Sequence, residues 1–192
     1  MYKPGILSTQ YKVGAATLAR QIKKSEAVAH RMIAGHHRTF ARYWEWSDDV
    51  VANMIVTGFY RSPLGWECHI RPHCNKPGDR LFNEQQLRNR DIQTTGADIL
   101  RTACIFIDQL GIELLATAHD AILTLVPLDR LKEQVKMIEI CMRKAGELLL
   151  NGFQLKGKTT ILHPGEKWIE ARGRKTFEIV DRFLRGMHGT NG

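Results

Sequence analysis

Long apolar runs are missing from this 192-residue chain. None approaches the roughly 20 residues that span a bilayer. The first ten residues hold no apolar core of signal-peptide length. A cytoplasmic protein without membrane contact is the expectation. Cysteine is sparse: Cys68, Cys74, Cys104 and Cys141 are scattered, and two of them fall in helical apolar patterns. That excludes a disulfide framework and predicts reduced thiols. Internal repeats and low-complexity tracts are absent. A phosphate loop is also lacking, because Gly14-Ala15-Ala16-Thr17 has neither the spacing nor the Lys-Ser/Thr pair. Spacing alone assembles no nucleophilic triad, whose members are found by geometry. Negative charge is in deficit: 28 Lys and Arg against 20 Asp and Glu leave a net charge of +8. Such a balance favours a polyanionic partner, most commonly nucleic acid.

What is present reads as an ordinary globular chain, 43% apolar and 25% charged, long enough for one large or two small domains. Leu7, Tyr11, Ala15, Leu18 and Ile22 recur at four and three, which predicts a helix over residues 6–22. Ser25 reads as an N-cap for a second helix over 26–46, with His36-His37 as a solvated pair on its basic face. Ser47-Asp48-Asp49 reads as a further cap, opening a short helix to about residue 54. Residues 57–71 alternate around Ser62-Pro63-Leu64-Gly65, a hairpin signature, and residues 71–79 read as a loop. A long helix is predicted over 93–110, buried through Ile99, Ala103, Phe106, Ile107 and Leu110 and stopped by Gly111.

Two short β-rich runs then flank His119-Asp120, predicting a hairpin with that pair at its tip. A strongly periodic helix over 128–150 ends at Asn151-Gly152, followed by a strand over 153–163 and a helix over 174–184. The expected fold class is α+β, an antiparallel sheet backed by long helices.

Three places carry chemistry. Asp120 on a rigid hairpin tip is placed either to hold a metal ion or merely to satisfy the turn. Cys68, His69, His73 and Cys74 offer zinc-type ligands, but their spacing matches no common zinc module, and adjacent Cys68 and His69 point to opposite faces of a strand. Arg88, Asn89, Arg90 and Gln93 combine amides that read base edges with arginines that hold phosphates. Helix capping by Asp91, Thr94 and Thr95 explains the acid and the hydroxyls, but not the amides and arginines together.

Taken in order, these pieces resemble a known family. Arg88-Asn89-x-x-x-Gln93-Thr94-Thr95-Gly96-Ala97-Asp98-Ile99-Leu100-Arg101, a long helix and then Ala118-His119-Asp120-Ala121 resemble the C-terminal palm of family A DNA polymerases, most of all the phage and prophage branch. Lys3-x-x-x-Leu7-x-x-x-Tyr11 followed by Gly14-Ala15-Ala16-x-Leu18-Ala19 is similar to the back half of the family's fingers motif, R-x-x-x-K-x-x-x-[FL]-x-x-x-Y-G.

The resemblance implies a helical partial fingers region at 1–56, a hairpin and linker at 57–79 and the C-terminal part of the palm at 80–192. It implies that Lys3 and Tyr11 bind the incoming deoxynucleoside triphosphate. Arg88, Asn89, Gln93 and His119 would contact primer–template DNA; His119 and Asp120 would be the catalytic pair, with His119 near the primer end and Asp120 ligating Mg²⁺. The activity implied is template-directed nucleotidyl transfer in DNA replication, in which two Mg²⁺ ions about 4 Å apart stabilise the attacking and leaving oxygens.

Departures from the family are specific. The first arginine of the fingers motif would precede Met1, Lys12 stands where the family has Gly, and Ala121 stands where many relatives have Glu. The upstream palm motif D-x-S-x-x-E-x-R, which carries the other metal-bridging Asp, has no match in these residues. One carboxylate does not hold two Mg²⁺ ions. The expectation is therefore a polymerase portion inactive alone, from a split, interrupted or truncated gene, and completed by an upstream fragment in trans. The alternative is a non-catalytic DNA-binding remnant.

Overall fold

The computed structural model describes residues 2–71, 82–169 and 173–188, with backbone alone at 2–4 and 185–188. The predicted loop beyond Arg71, with His73 and Cys74, lies outside them. The chain divides into two compact units, Met1–Gly157 and Lys158–Gly192.

In the first unit, α1 (Tyr2–Gln10) and α2 (Ala15–Ile22) replace the single helix expected over 6–22. The break falls at Lys12, whose φ of 53° is left-handed. The chain turns there because Lys12 N–H and Val13 N–H bond back to the Thr9 and Ser8 carbonyls. Gly14 then starts α2 from an extended conformation. Leu18, Ala19, Ile22 and Ala29 bury a small core between α2 and α3 (Glu26–Thr39).

The helix expected to reach residue 46 instead breaks at Phe40, and α4 runs Ala41–Thr57. Ser47, Asp48 and Asp49 thus lie inside a helix and cap nothing. Ser47 is buried. His36 is not a solvated surface residue either: it is buried, and its Nδ1 accepts the Trp44 indole N–H at 3.1 Å across the break.

The predicted hairpin at 57–71 forms as β1 (Phe59–Arg61) and β2 (Glu67–His69), antiparallel with Tyr60 opposite Cys68. Next comes α5 (Glu84–Gln109), which starts nine residues before the expected position. Its cap is Asn83, whose side chain accepts from the Gln85 and Gln86 N–H groups at 3.0 and 3.3 Å, with Glu84 favourably placed in the positive first turn. Only Leu87 of this polar first section enters a core, so apolar periodicity gave no sign of helix there. The core of Val51, Met54 and Leu87 joins α4 to α5 across the expected linker.

The His-Asp hairpin forms as expected: β3 (Glu113–Ala118) pairs antiparallel with β4 (Ala121–Leu125), and Ala118 faces Ala121 across a two-residue turn. A single 3₁₀ turn at Leu128–Arg130 leads into α6 (Leu131–Leu149). Ile99, Ala103 and Ala145 let α5 and α6 approach closely, and Ile107, Ile112 and Cys141 extend this core beneath the hairpin. Gly146 instead faces the segment after α6, where an added Cβ would stand 3.3 Å from the Leu155 side chain.

The second unit contains α7 (Arg174–His188), the expected final helix. No strand forms over 153–163; those residues are exposed and have no partner strand. Among the described residues the fold is α+β, with two separate two-stranded antiparallel sheets rather than one, the second backed by α5 and α6.

Candidate nucleic-acid interface

Asn89 and Gln93 lie one turn apart on α5, so both face the same way. With Trp66 and Cys68 of the β1–β2 hairpin, and with Gln86, Arg90 and Arg101 of α5, they line a cleft of about 810 Å³. The Asn89 amide donates to the Gln85 carbonyl at 2.8 Å, while its buried Oδ1 has no partner among the described residues. The same holds for the buried Arg90 Nε. A buried acceptor and a buried donor left without partners are costly unless an internal water or a small side-chain shift completes them. Amides and arginines suit base edges, sugars and phosphates.

Arg88 does not join them. Its guanidinium is buried, donates to Ser47 Oγ at 2.9 Å, pairs with Asp48 and sits 5.7 Å from the Trp44 ring centre. It is a joint between α4 and α5. Beside it, the Tyr60 hydroxyl donates to Asp91; burial first, then that bond, push the Tyr60 pKa up to about 12. Burial also raises Tyr43, with Tyr11 and Asp91 adding to the effect and Arg88 opposing it.

Tyr11 is partly exposed at the turn after α1. Lys12, next to it, is fastened to the start of α5: its ammonium pairs with Glu84, and its carbonyl accepts from Gln85 Nε2 at 2.7 Å. A residue that stands where glycine would be expected therefore adopts the glycine-like conformation and uses its side chain to tie the turn to the cleft helix. Lys3 lies in α1, where only the backbone is described.

His119 and Asp120 form the exposed tip of β3–β4, with His119 at φ 55°. They are not part of the cleft lining. Among the described residues no three His, Cys, Asp or Glu groups converge to hold a metal. Asp120 is a single exposed carboxylate, and Mg²⁺ needs carboxylates plus substrate phosphates. The donor set here does not by itself fit a two-metal centre.

Two participants were missed by sequence reading. Asp98 is fully buried and accepts from Leu64 N–H at 2.9 Å and Arg101 Nη2 at 2.8 Å, pinning the β1–β2 turn to α5. Its signal was an acid flanking the apolar stripe at Ile99. Trp66 borders the cleft from that turn, and its signal was a large aromatic directly after the turn glycine.

The sequence model of DNA polymerase family A matches residues 3–169. The chain belongs to that family. Among solved structures, one described as the POL domain of Pol1 from M. smegmatis in complex with DNA primer-template and dNTP is similar, with a TM-score of 0.63 and 25% sequence identity. The match covers 72% of this chain and 26% of that one, so the chain spans about a quarter of that relative's length. Among the described residues no helix is long and apolar enough to cross a membrane.

Proposed function

We propose that these residues are the C-terminal fingers and palm portion of a cytoplasmic DNA-directed DNA polymerase. In this reading Asn89 and Gln93 contact primer–template DNA in the α5 cleft, and Arg88 holds α5 in place without touching DNA. Lys3 and Tyr11 bind the incoming deoxynucleoside triphosphate. His119 lies near the primer end. Asp120 supplies one Mg²⁺ ligand, and when bound the metal stabilises charge on the transferring phosphoryl group.

The observation that carries the reading is the shared framework: α5 bears the cleft amides, and with α6 it backs the hairpin that presents His119-Asp120. The similar solved polymerase is complexed with DNA primer-template and dNTP, which supports the same partners here.

The second carboxylate is supplied from outside these residues, by a segment carrying D-x-S-x-x-E-x-R in the same or another polypeptide. An isolated two-stranded hairpin is marginal, and the side of β3–β4 turned away from the helices exposes Leu123 and Leu125 at 49% and 55%. That apolar strip is suited to packing against such a segment.

Primer extension tests the proposal. The chain alone with Mg²⁺ should extend no primer. Adding the upstream segment should restore extension, and Asp120→Ala should abolish it again. Extension by the isolated chain that Asp120→Ala removes would overturn the dependence on a second carboxylate. Salt-sensitive duplex binding, with no extension under either condition, would favour the DNA-binding remnant.

A further inference from the structure

We propose that Trp66 is a stacking platform for an unpaired nucleotide at the edge of the α5 cleft, an inference that rests on the cleft being the DNA-binding face. The indole is 60% exposed, yet the turn that carries it is fixed by hydrogen bonds. Ser62 N–H donates to the Trp66 carbonyl at 2.8 Å, Trp66 N–H to Ser62 Oγ at 3.1 Å, and Gly65 N–H to the Ser62 carbonyl at 2.9 Å. Leu64 N–H is anchored on the fully buried Asp98. Asp98 also holds Arg101, whose guanidinium carbon lies 5.0 Å from the indole ring centre. A cation over one face of an indole leaves the other face available. The ring therefore combines three properties: large aromatic area, a hydrogen-bonded turn beneath it and an exposed face.

The neighbouring chemistry selects the ligand. Asn89, Gln93, Arg90 and Arg101 offer amides and positive charge along the same cleft. Aromatic rings beside such groups bind nucleic acid by stacking on bases, a contact that tolerates any sequence. Within a duplex both faces of each internal base are already covered by neighbouring pairs. The open indole face thus fits an unpaired base, as in a single-stranded template overhang.

The test uses the full chain and two fluorescein-labelled DNA hairpins with the same duplex, one blunt and one with a 5′ single-stranded overhang, read by fluorescence anisotropy. The wild-type chain should prefer the overhang. Trp66→Ala should weaken overhang binding about tenfold and leave the blunt hairpin unchanged, whereas Trp66→Phe should keep most of the preference. Equal losses on both hairpins, or no loss on either, would overturn the platform. Asn89→Ala with Gln93→Ala separates this inference from its foundation: the pair should weaken both hairpins. If that pair changes neither, the cleft is not the DNA-binding face and the platform falls with it.

Discussion

Arg88 lies between Ser47, Asp48 and the Trp44 ring, and a planar cation with a fixed fork of donors suits that three-sided contact. A second basic side chain, His36, is likewise internal. Its Nδ1 accepts from Trp44, its ring stands 4.7 Å from that of Phe40, and His37 stacks on Trp44 at 3.9 Å. Burial, and then the neighbouring His37, lower its pKa below the ordinary 6.5.

The sign follows from proton binding. As pH falls below about 6.5 the unfolded chain takes up this proton before the folded one does, so acid favours unfolding. Above that pH both states are neutral and the group contributes no pH dependence. The thermal midpoint, followed by circular dichroism, should fall from pH 7.5 to 5.5. His36→Gln should flatten part of that slope while keeping an acceptor for Trp44. A slope unchanged by the substitution would show that His36 does not set it. Neither residue's burial was legible in the sequence, because the partners of Arg88 lie some forty positions away and basic residues on a helix ordinarily face water.

At the scale of elements, the α5–α6 pair organises the C-terminal half of the first unit. Ile107 is fully buried there with Ile112 and Cys141, and small residues at Ala103 and Ala145 set the close approach. Ile107→Ala removes three methylene-sized groups from a site with little room to collapse, and should cost about 2–5 kcal/mol. Urea unfolding should show this as a lower midpoint with an unchanged slope. These elements were legible because a 3.6-residue apolar period marks a helix whatever surrounds it. The first half of α5 was not, since its stability comes from the Asn83 cap and from polar joints to α4. The strand expected at 153–163 failed for the complementary reason. Its residues have β-like character, but a strand exists only where a neighbour accepts its hydrogen bonds.

For the whole molecule, the +8 charge and the exposed apolar side of β3–β4 are the two surface features on which the proposed reading rests its partners, nucleic acid and an upstream polymerase segment. Leu123→Lys distinguishes the folding role of that side from its docking role. The side chain is half exposed, so the thermal midpoint of the chain should hardly move, within about 0.5 kcal/mol. Restoration of primer extension by the upstream segment should be lost, because a charge would then be buried against apolar surface. Complementation that survives Leu123→Lys would place the docking elsewhere.

The sequence by itself determined the family, the α+β class, the β1–β2 hairpin, the His119-Asp120 tip and most of the apolar helix faces. Each of these is written locally, as a motif, a turn or a period. Only the tertiary structure decided that Arg88 and His36 are internal, that Lys12 ties the Tyr11 turn to α5, and that buried Asp98 anchors the turn that sets Trp66 beside the cleft. Those assignments depend on which distant residues meet, and burial, hydrogen-bond satisfaction and the orientation of a side chain are properties of that meeting.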